Sequence, residues 1–247
     1  MKVLLLDIET SPNLVYSWGL FNQNIPIGSI VEPGKTLCWA AKWEGKKKIL
    51  FSSSHKDGEK SMVGQMWALL DEADAVIHYN GKRFDIPTLN REFVRFNMVP
   101  PTNYKEIDLY QTVKSKFRFV SNKLDFVSQE LGLGAKVQHK GMELWRDCMA
   151  GDATSWRAME KYNKQDVRLL EPLYRKLLPW ITTHPNRGLW LGNDDQPTCR
   201  NCGSTNIKKK GLERTTTMIY QRYKCKDCGA NMRGRKRAVK TSAGVLV

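Results

Sequence analysis

No stretch of this sequence approaches the roughly 18 apolar residues that a membrane-spanning helix needs. A spanning protein is therefore excluded as the leading expectation. The apolar run near the start, Val3 to Leu6, is also too short for a secretory leader. No amphipathic basic helix is evident, which argues against a surface membrane anchor. Internal repeats and long low-complexity runs are missing, so a solenoid or a fibrous chain is not expected. Histidine is scarce, with 4 residues in the chain: His55, His78, His139 and His184. Acid is scarce in the last fifth, where Gln196 to Val247 holds 13 Lys+Arg against 2 Asp+Glu.

What is present begins with charge and cysteine. The 247 residues carry 40 Lys+Arg against 25 Asp+Glu, a net charge of +15. Most of that excess lies in the tail, net +11 from Gln196 onward against +4 before it. A basic surface of this kind favours polyanions, because it neutralises phosphates and releases their counterions. Within the tail stand Cys199-x-x-Cys202 and Cys225-x-x-Cys228, each followed by glycine. This is the spacing of a four-cysteine zinc site, and the glycines suit tight knuckles that need positive φ. Two disulfides are the competing reading. A reducing, cytoplasmic compartment, where paired cysteines serve metals, fits the pattern better. Cys38 and Cys148 stand alone and are expected as small buried residues.

So small a module lacks a sufficient core, and one structural Zn²⁺ would supply its folding free energy. Ile207 to Leu212 and Thr215 to Lys224 suit its strands. Lys208, Lys209 and Lys210, with Arg233, Arg235, Lys236 and Arg237, are candidates for phosphate contact. Tyr220 and Tyr223 either stack on bases or form the module's own core.

The first 181 residues have a core-forming composition and alternating elements. Strands are expected over Val3 to Ile8, Thr36 to Trp43, Lys48 to Ser53, Ala75 to Tyr79 and Glu106 to Leu109. Helices are expected over Gly58 to Ala73, Ile86 to Asn97, Tyr110 to Phe117, Leu124 to Leu131 and Ser155 to Leu178. Pro172 is a possible break in the last of these. The stretch between the first two strands reads as a loop. Together these elements predict an α/β domain.

Three acidic places in this domain line up. Asp7-Ile8-Glu9 ends the first strand, and residues two apart in a strand share a face. Two close carboxylates repel, so a divalent cation is their natural compensation. Asn80-Gly81-Lys82-Arg83-Phe84-Asp85 follows the Ala75 strand. Tyr162 and Asp166 stand four apart on one helix face. Singly, each has an ordinary explanation: a strand end, a helix cap, a solvated face. In this order they resemble the three motifs of the DEDD 3′–5′ exonucleases, and Tyr162 points to the DEDDy branch. None of the four histidines occupies the position that defines the histidine branch. The resemblance runs from Met1 to about Trp180.

That resemblance implies a ribonuclease H-like mixed sheet flanked by helices. It implies that Asp7, Glu9, Asp85 and Asp166 hold two Mg²⁺ or Mn²⁺ ions, about 3.5–4 Å apart, which activate a water and stabilise the leaving 3′ oxygen. Tyr162 would orient that water. Thr10, Asn80 and Phe84 would meet the terminal nucleotide. The expected activity is release of nucleotides from the 3′ end of a single strand, DNA favoured over RNA, alone or within a replication or repair assembly. A silent nuclease fold acting as a nucleic-acid-binding adaptor, and a structure-selective endonuclease, are the alternatives. General resemblance suggests a bacterial or phage source. The expected organisation is a nuclease-like domain at 1–181, a linker at 182–196, a zinc ribbon with a basic flank at 197–240, and a disordered tail at 241–247.

Overall fold

The computed structural model describes residues 1–191 and 196–238. The expected tail at 241–247 and the last part of the expected linker lie outside the described residues. The chain builds β1 (Val3–Thr10), β2 (Leu14–Val15), β3 (Ile30–Glu32), β4 (Thr36–Trp43) and β5 (Leu50–Ser53). There follow α1 (Ser54–Asp57), α2 (Glu59–Glu72), β6 (Ala75–His78), α3 (Asp85–Arg95) and β7 (Lys105–Asp108). Next come α4 (Leu109–Lys116), α5 (Leu124–Glu130), α6 (Met142–Met149) and α7 (Ala153–Leu177). The C-terminal region adds β8 (Ile207–Arg214), β9 (Ile219–Cys225) and β10 (Asn231–Arg237).

A five-stranded sheet runs β5-β4-β1-β6-β7. β1 pairs antiparallel with β4 and parallel with β6, so the sheet is mixed. The expected ribonuclease H-like α/β architecture is what the chain adopts. Both sheet faces are covered, and period-two alternation decides which residue goes where. Leu4, Leu6 and Ile8 pack with Trp39, Met62, Met66, Leu70 and Phe93 toward α2 and α3. Val3 and Leu5 point the other way, into a core with Ile77 of β6 and with Val113, Val127, Leu170 and Leu173 from α4, α5 and α7. Leu5 is fully buried. Truncating such a leucine to alanine removes about 2–5 kcal/mol. The same alternation aims Asp7 and Glu9 at the α7 side.

Several elements differ from expectation. The stretch between β1 and β4 is a small hairpin, with Leu14 paired to Glu32 and Val15 to Ile30. α6 stands between Gly141 and Gly151, both at positive φ, where no helix was expected. α7 continues through Pro172 for 25 residues. Twelve of its side chains are buried against the sheet, its neighbouring helices and the aromatic cluster around Tyr162, and that packing outweighs the lost hydrogen bond. Two residues in the stretch expected as a linker, His184 and Arg187, make packed contacts. His184 is buried and its Nε2 lies 2.7 Å from the Tyr174 hydroxyl. Arg187 donates to Glu44 at 2.6 Å and to Tyr174 at 3.0 Å.

The C-terminal sheet has the order β10-β9-β8. The Arg233 to Arg237 run expected as a flank is its third strand. Asn201, buried between the two regions, donates to the carbonyls of Leu178 at 2.7 Å and Ile181 at 3.2 Å. Cys202 and Cys228 touch the α7-side core of the large sheet. The small module thus caps the end of α7.

Candidate metal centres and nucleotide pocket

β1 ends where its backbone leaves the core, and Asp7 and Glu9 emerge there on one face. α7 crosses that face and presents Tyr162, Asn163 and Asp166 within little more than one turn. One carboxylate oxygen each of Asp7, Glu9 and Asp166 lies within 4.8 Å of the other two. Asn163 Nδ2 fixes Asp7, donating to Oδ2 at 2.7 Å and to the backbone carbonyl at 3.3 Å. Asp85 opens α3, and its Oδ1 accepts from the Ile8 amide at 3.1 Å. It is buried beside the trio but outside the 4.8 Å group.

Burial and mutual repulsion dominate the electrostatics. Burial, then Asp166, Glu9 and Asp85, push the Asp7 carboxyl well above its usual range. Glu9 is pushed up to about 8, first by burial and then by Asp166. Burial raises Asp85 to about 6, against the pull of His78 and the Ile8 amide. Asp166 is raised by burial despite Lys136. Its Oδ1 is buried and accepts no hydrogen bond from the described residues. Clustered acids that cannot all ionise alone, one of them with an unpartnered buried oxygen, suit a hard divalent cation.

Tyr162 is held by rings, His139 at 4.8 Å and Trp145 at 6.0 Å between centroids. Burial, then Asp166 and Glu9, raise its hydroxyl, so it stays protonated at neutral pH. Lys136 was not foreseen. Its ammonium pairs with Asp166 and donates to the Tyr162 hydroxyl at 3.2 Å. The Lys136 amide donates to Asp125 Oδ1 at 2.7 Å, which anchors the loop after α5. Only the glycines around that loop mark it in the sequence.

Asp7 also forms one wall of a cavity of about 570 Å³, with Tyr79, Asn80, Tyr110, Lys123 and Lys136 among its other walls. Asn80 has positive φ (68°), and its amide donates to Asp108 Oδ1 at 2.9 Å. Asp108 itself caps α4. Thr10 ends β1, and Phe84, exposed just before α3, does not line this cavity.

In the small module the four cysteines are unbridged. Their sulfurs lie within 4.8 Å of one another, with Cys199–Cys228 and Cys202–Cys225 both at 3.6 Å. A zinc tetrahedron with Zn–S of about 2.3 Å has edges of about 3.8 Å, so the donor set fits. The knuckles repeat one geometry. Gly203 donates to the Cys199 carbonyl at 2.7 Å and Gly229 to that of Cys225 at 3.2 Å, both glycines near φ 80°. Lys208, Lys209, Lys210, Arg235, Lys236 and Arg237 are exposed on the edge strands, while Arg233 covers the Tyr220 ring at 4.6 Å.

Residues 35–178 match the RNase_H superfamily. The chain belongs to that superfamily. Among solved structures it is similar to the family B DNA polymerase of the hyperthermophilic archaeon Pyrobaculum calidifontis, at 20% identity and a TM-score of 0.55. The likeness covers 72% of this chain and 24% of the polymerase, and it concerns the fold. No curated protein matches the chain.

Proposed function

We propose that this superfamily member is a metal-dependent 3′–5′ exonuclease of the DEDDy type, acting on single-stranded nucleic acid, with DNA preferred. The convergence of Asp7, Glu9 and Asp166 from β1 and α7 carries this reading. These three, with Asp85 beside them, would hold two Mg²⁺ or Mn²⁺ ions. Bound there, the ions supply an activated water and offset charge on the phosphate and the leaving oxygen. Asn163 keeps the Asp7 carboxylate turned inward. The protonated Tyr162 hydroxyl orients the water by accepting or donating a hydrogen bond, and the His139 and Trp145 rings hold it in place. Lys136 brings a cation to the same point, where it can meet a phosphate oxygen.

The cavity beside Asp7 has room for one nucleotide. Tyr79 and Tyr110, edge to face at 5.7 Å, offer a wall for a base. Asn80 and Lys123 offer polar contacts. The C-terminal module is read as a zinc ribbon whose Cys199, Cys202, Cys225 and Cys228 hold one structural Zn²⁺. Its basic edge strands would retain the strand while the carboxylates cut, within the cytoplasm and alone or in a replication or repair assembly.

The test uses 5′-labelled DNA and RNA oligonucleotides with free or blocked 3′ ends, with Mg²⁺ or Mn²⁺ added. A ladder that descends from free 3′ ends supports the proposal. Cutting that ignores the block, or cutting of a circular single strand, sinks it.

A further inference from the structure

From Thr10 to Val31 no side chain is charged, an unusual run in a chain with net charge +15. The run is rich in apolar and aromatic residues, and the structure leaves them in solvent. Trp18 is 106% exposed, Phe21 82% and Tyr16 78%, with Leu20 and Ile27 equally bare. They stand on the β2–β3 hairpin and its tip. The Tyr16 amide donates to the Ser29 carbonyl at 2.9 Å, so the aromatic side chains rise from a paired base.

The root of this flap is fixed beside the carboxylates. Glu9 pairs with Cys38 and Thr10 with Thr36, so the flap leaves and rejoins the sheet at the Glu9 end of β1. Ser11 N donates to the Lys35 carbonyl at 2.8 Å, and Lys35 N donates back to Ser11 Oγ at 2.9 Å. The Gly34 amide donates to Asn13 Oδ1 at 2.7 Å. A Cβ on Gly34 would lie 2.5 Å from the Ser11 carbonyl oxygen, so the two arms close to backbone contact there. Lys35 pairs with Glu32 at 3.1 Å and Glu59 at 2.8 Å, which ties the root to α2.

A surface without Lys or Arg does not grip phosphates. Without Asp or Glu it does not repel a polyanion either. Exposed aromatic faces, followed by the amides of Asn22, Gln23 and Asn24, match nucleobases. We propose that this flap is a base-stacking platform for the unpaired strand, with Tyr16, Trp18 and Phe21 taking bases beside the carboxylate cluster. The proposal rests on the nucleic-acid reading of that cluster. It assigns base contact to the flap and leaves phosphate contact to the basic module.

The test measures binding of the full chain, zinc retained and no Mg²⁺ or Mn²⁺ added, to a labelled oligothymidylate and to its abasic counterpart. Trp18→Leu keeps an apolar side chain but removes the π face. It should weaken oligothymidylate binding about tenfold and change abasic binding less than twofold. Trp18→Phe should stay within about threefold of the original on both. Equal losses on both oligonucleotides, or no loss on either, overturns the proposal. So does a self-association of the unaltered chain that Trp18→Leu abolishes without touching oligonucleotide binding, since the flap then faces a second copy. Because no hydrolysis is read, a failure here leaves the nuclease reading intact, and inactivity in the nuclease assay leaves this result interpretable.

Discussion

The two clusters of candidate metal ligands are built by opposite routes. Asp7 and Glu9 on a strand stand more than 150 residues from Asp166 on a helix, and the two elements are joined by a core of buried apolar side chains. The four cysteines come from two local knuckles around a core whose buried apolar members are Cys199, Cys225 and Ala230. In the first case the fold imposes the cluster and stores repulsion in it. In the second the ligands are most of the interior, so the ion is the expected source of stability. One site should respond to metal loss in chemistry, the other in structure.

Asp7→Asn gives the sharpest separation. It preserves shape and the contact to Asn163 while removing a charge. Hydrolysis should fall by ~10³ or more at saturating substrate. Thermal melting without added Mg²⁺ should be unchanged or higher, because a repelled carboxyl is gone. A melting loss as large as that of a cysteine variant would break the comparison.

Cys199→Ser should do the reverse. Bound zinc, measured on the purified chain, should drop to near zero, and residues 197–238 should become open to proteolysis. Affinity for single strands should fall about tenfold or more, while turnover at saturation stays within roughly threefold. Because Asn201 caps the end of α7, some loss in melting temperature of the large domain is also expected. If turnover vanishes with zinc, the division of labour between the regions is wrong.

How much of this was legible in the sequence follows the same division. Cys199 to Cys228 could be read from spacing alone, since the knuckle is local. Asp7 and Glu9 could be placed on one face by strand period, and Tyr162 with Asp166 by helix period. What joined them was a resemblance, because no local rule says that α7 crosses β1. Lys136 was hidden because its loop is positioned by Asp125, a tertiary contact with no periodic signature. Arg233 to Arg237 read as a charged flank because arginine has no strong strand preference. Pairing with β9 imposes the strand, as tertiary context often does. The β2–β3 hairpin was missed because its apolar residues face water, so no alternation marks a buried side.

The smallest expected effect is a pH dependence confined to one side of the comparison. Glu9, pushed up to about 8 by burial and Asp166, keeps a proton in the folded chain that the unfolded chain, with its ordinary value of 4.5, has released. That contribution is fully present below pH 4.5 and is lost as pH rises through 8. Asp7 acts in the same direction. His184, lowered by burial to about 4, works the other way, but its effect is complete by pH 6.5. The lowered carboxyls of Glu59 and Glu171 have finished changing by then as well. Between pH 6.5 and 8.5 the metal-free chain should therefore lose about 1 kcal/mol, or ~2–4 °C in melting temperature. Added Mn²⁺ should flatten that slope, because a cation replaces the protons that relieve the repulsion. Asp7→Asn should flatten it without any ion. Cys199→Ser should leave the slope of the large domain's transition intact, and a slope that instead followed zinc content would place the repulsion in the wrong site.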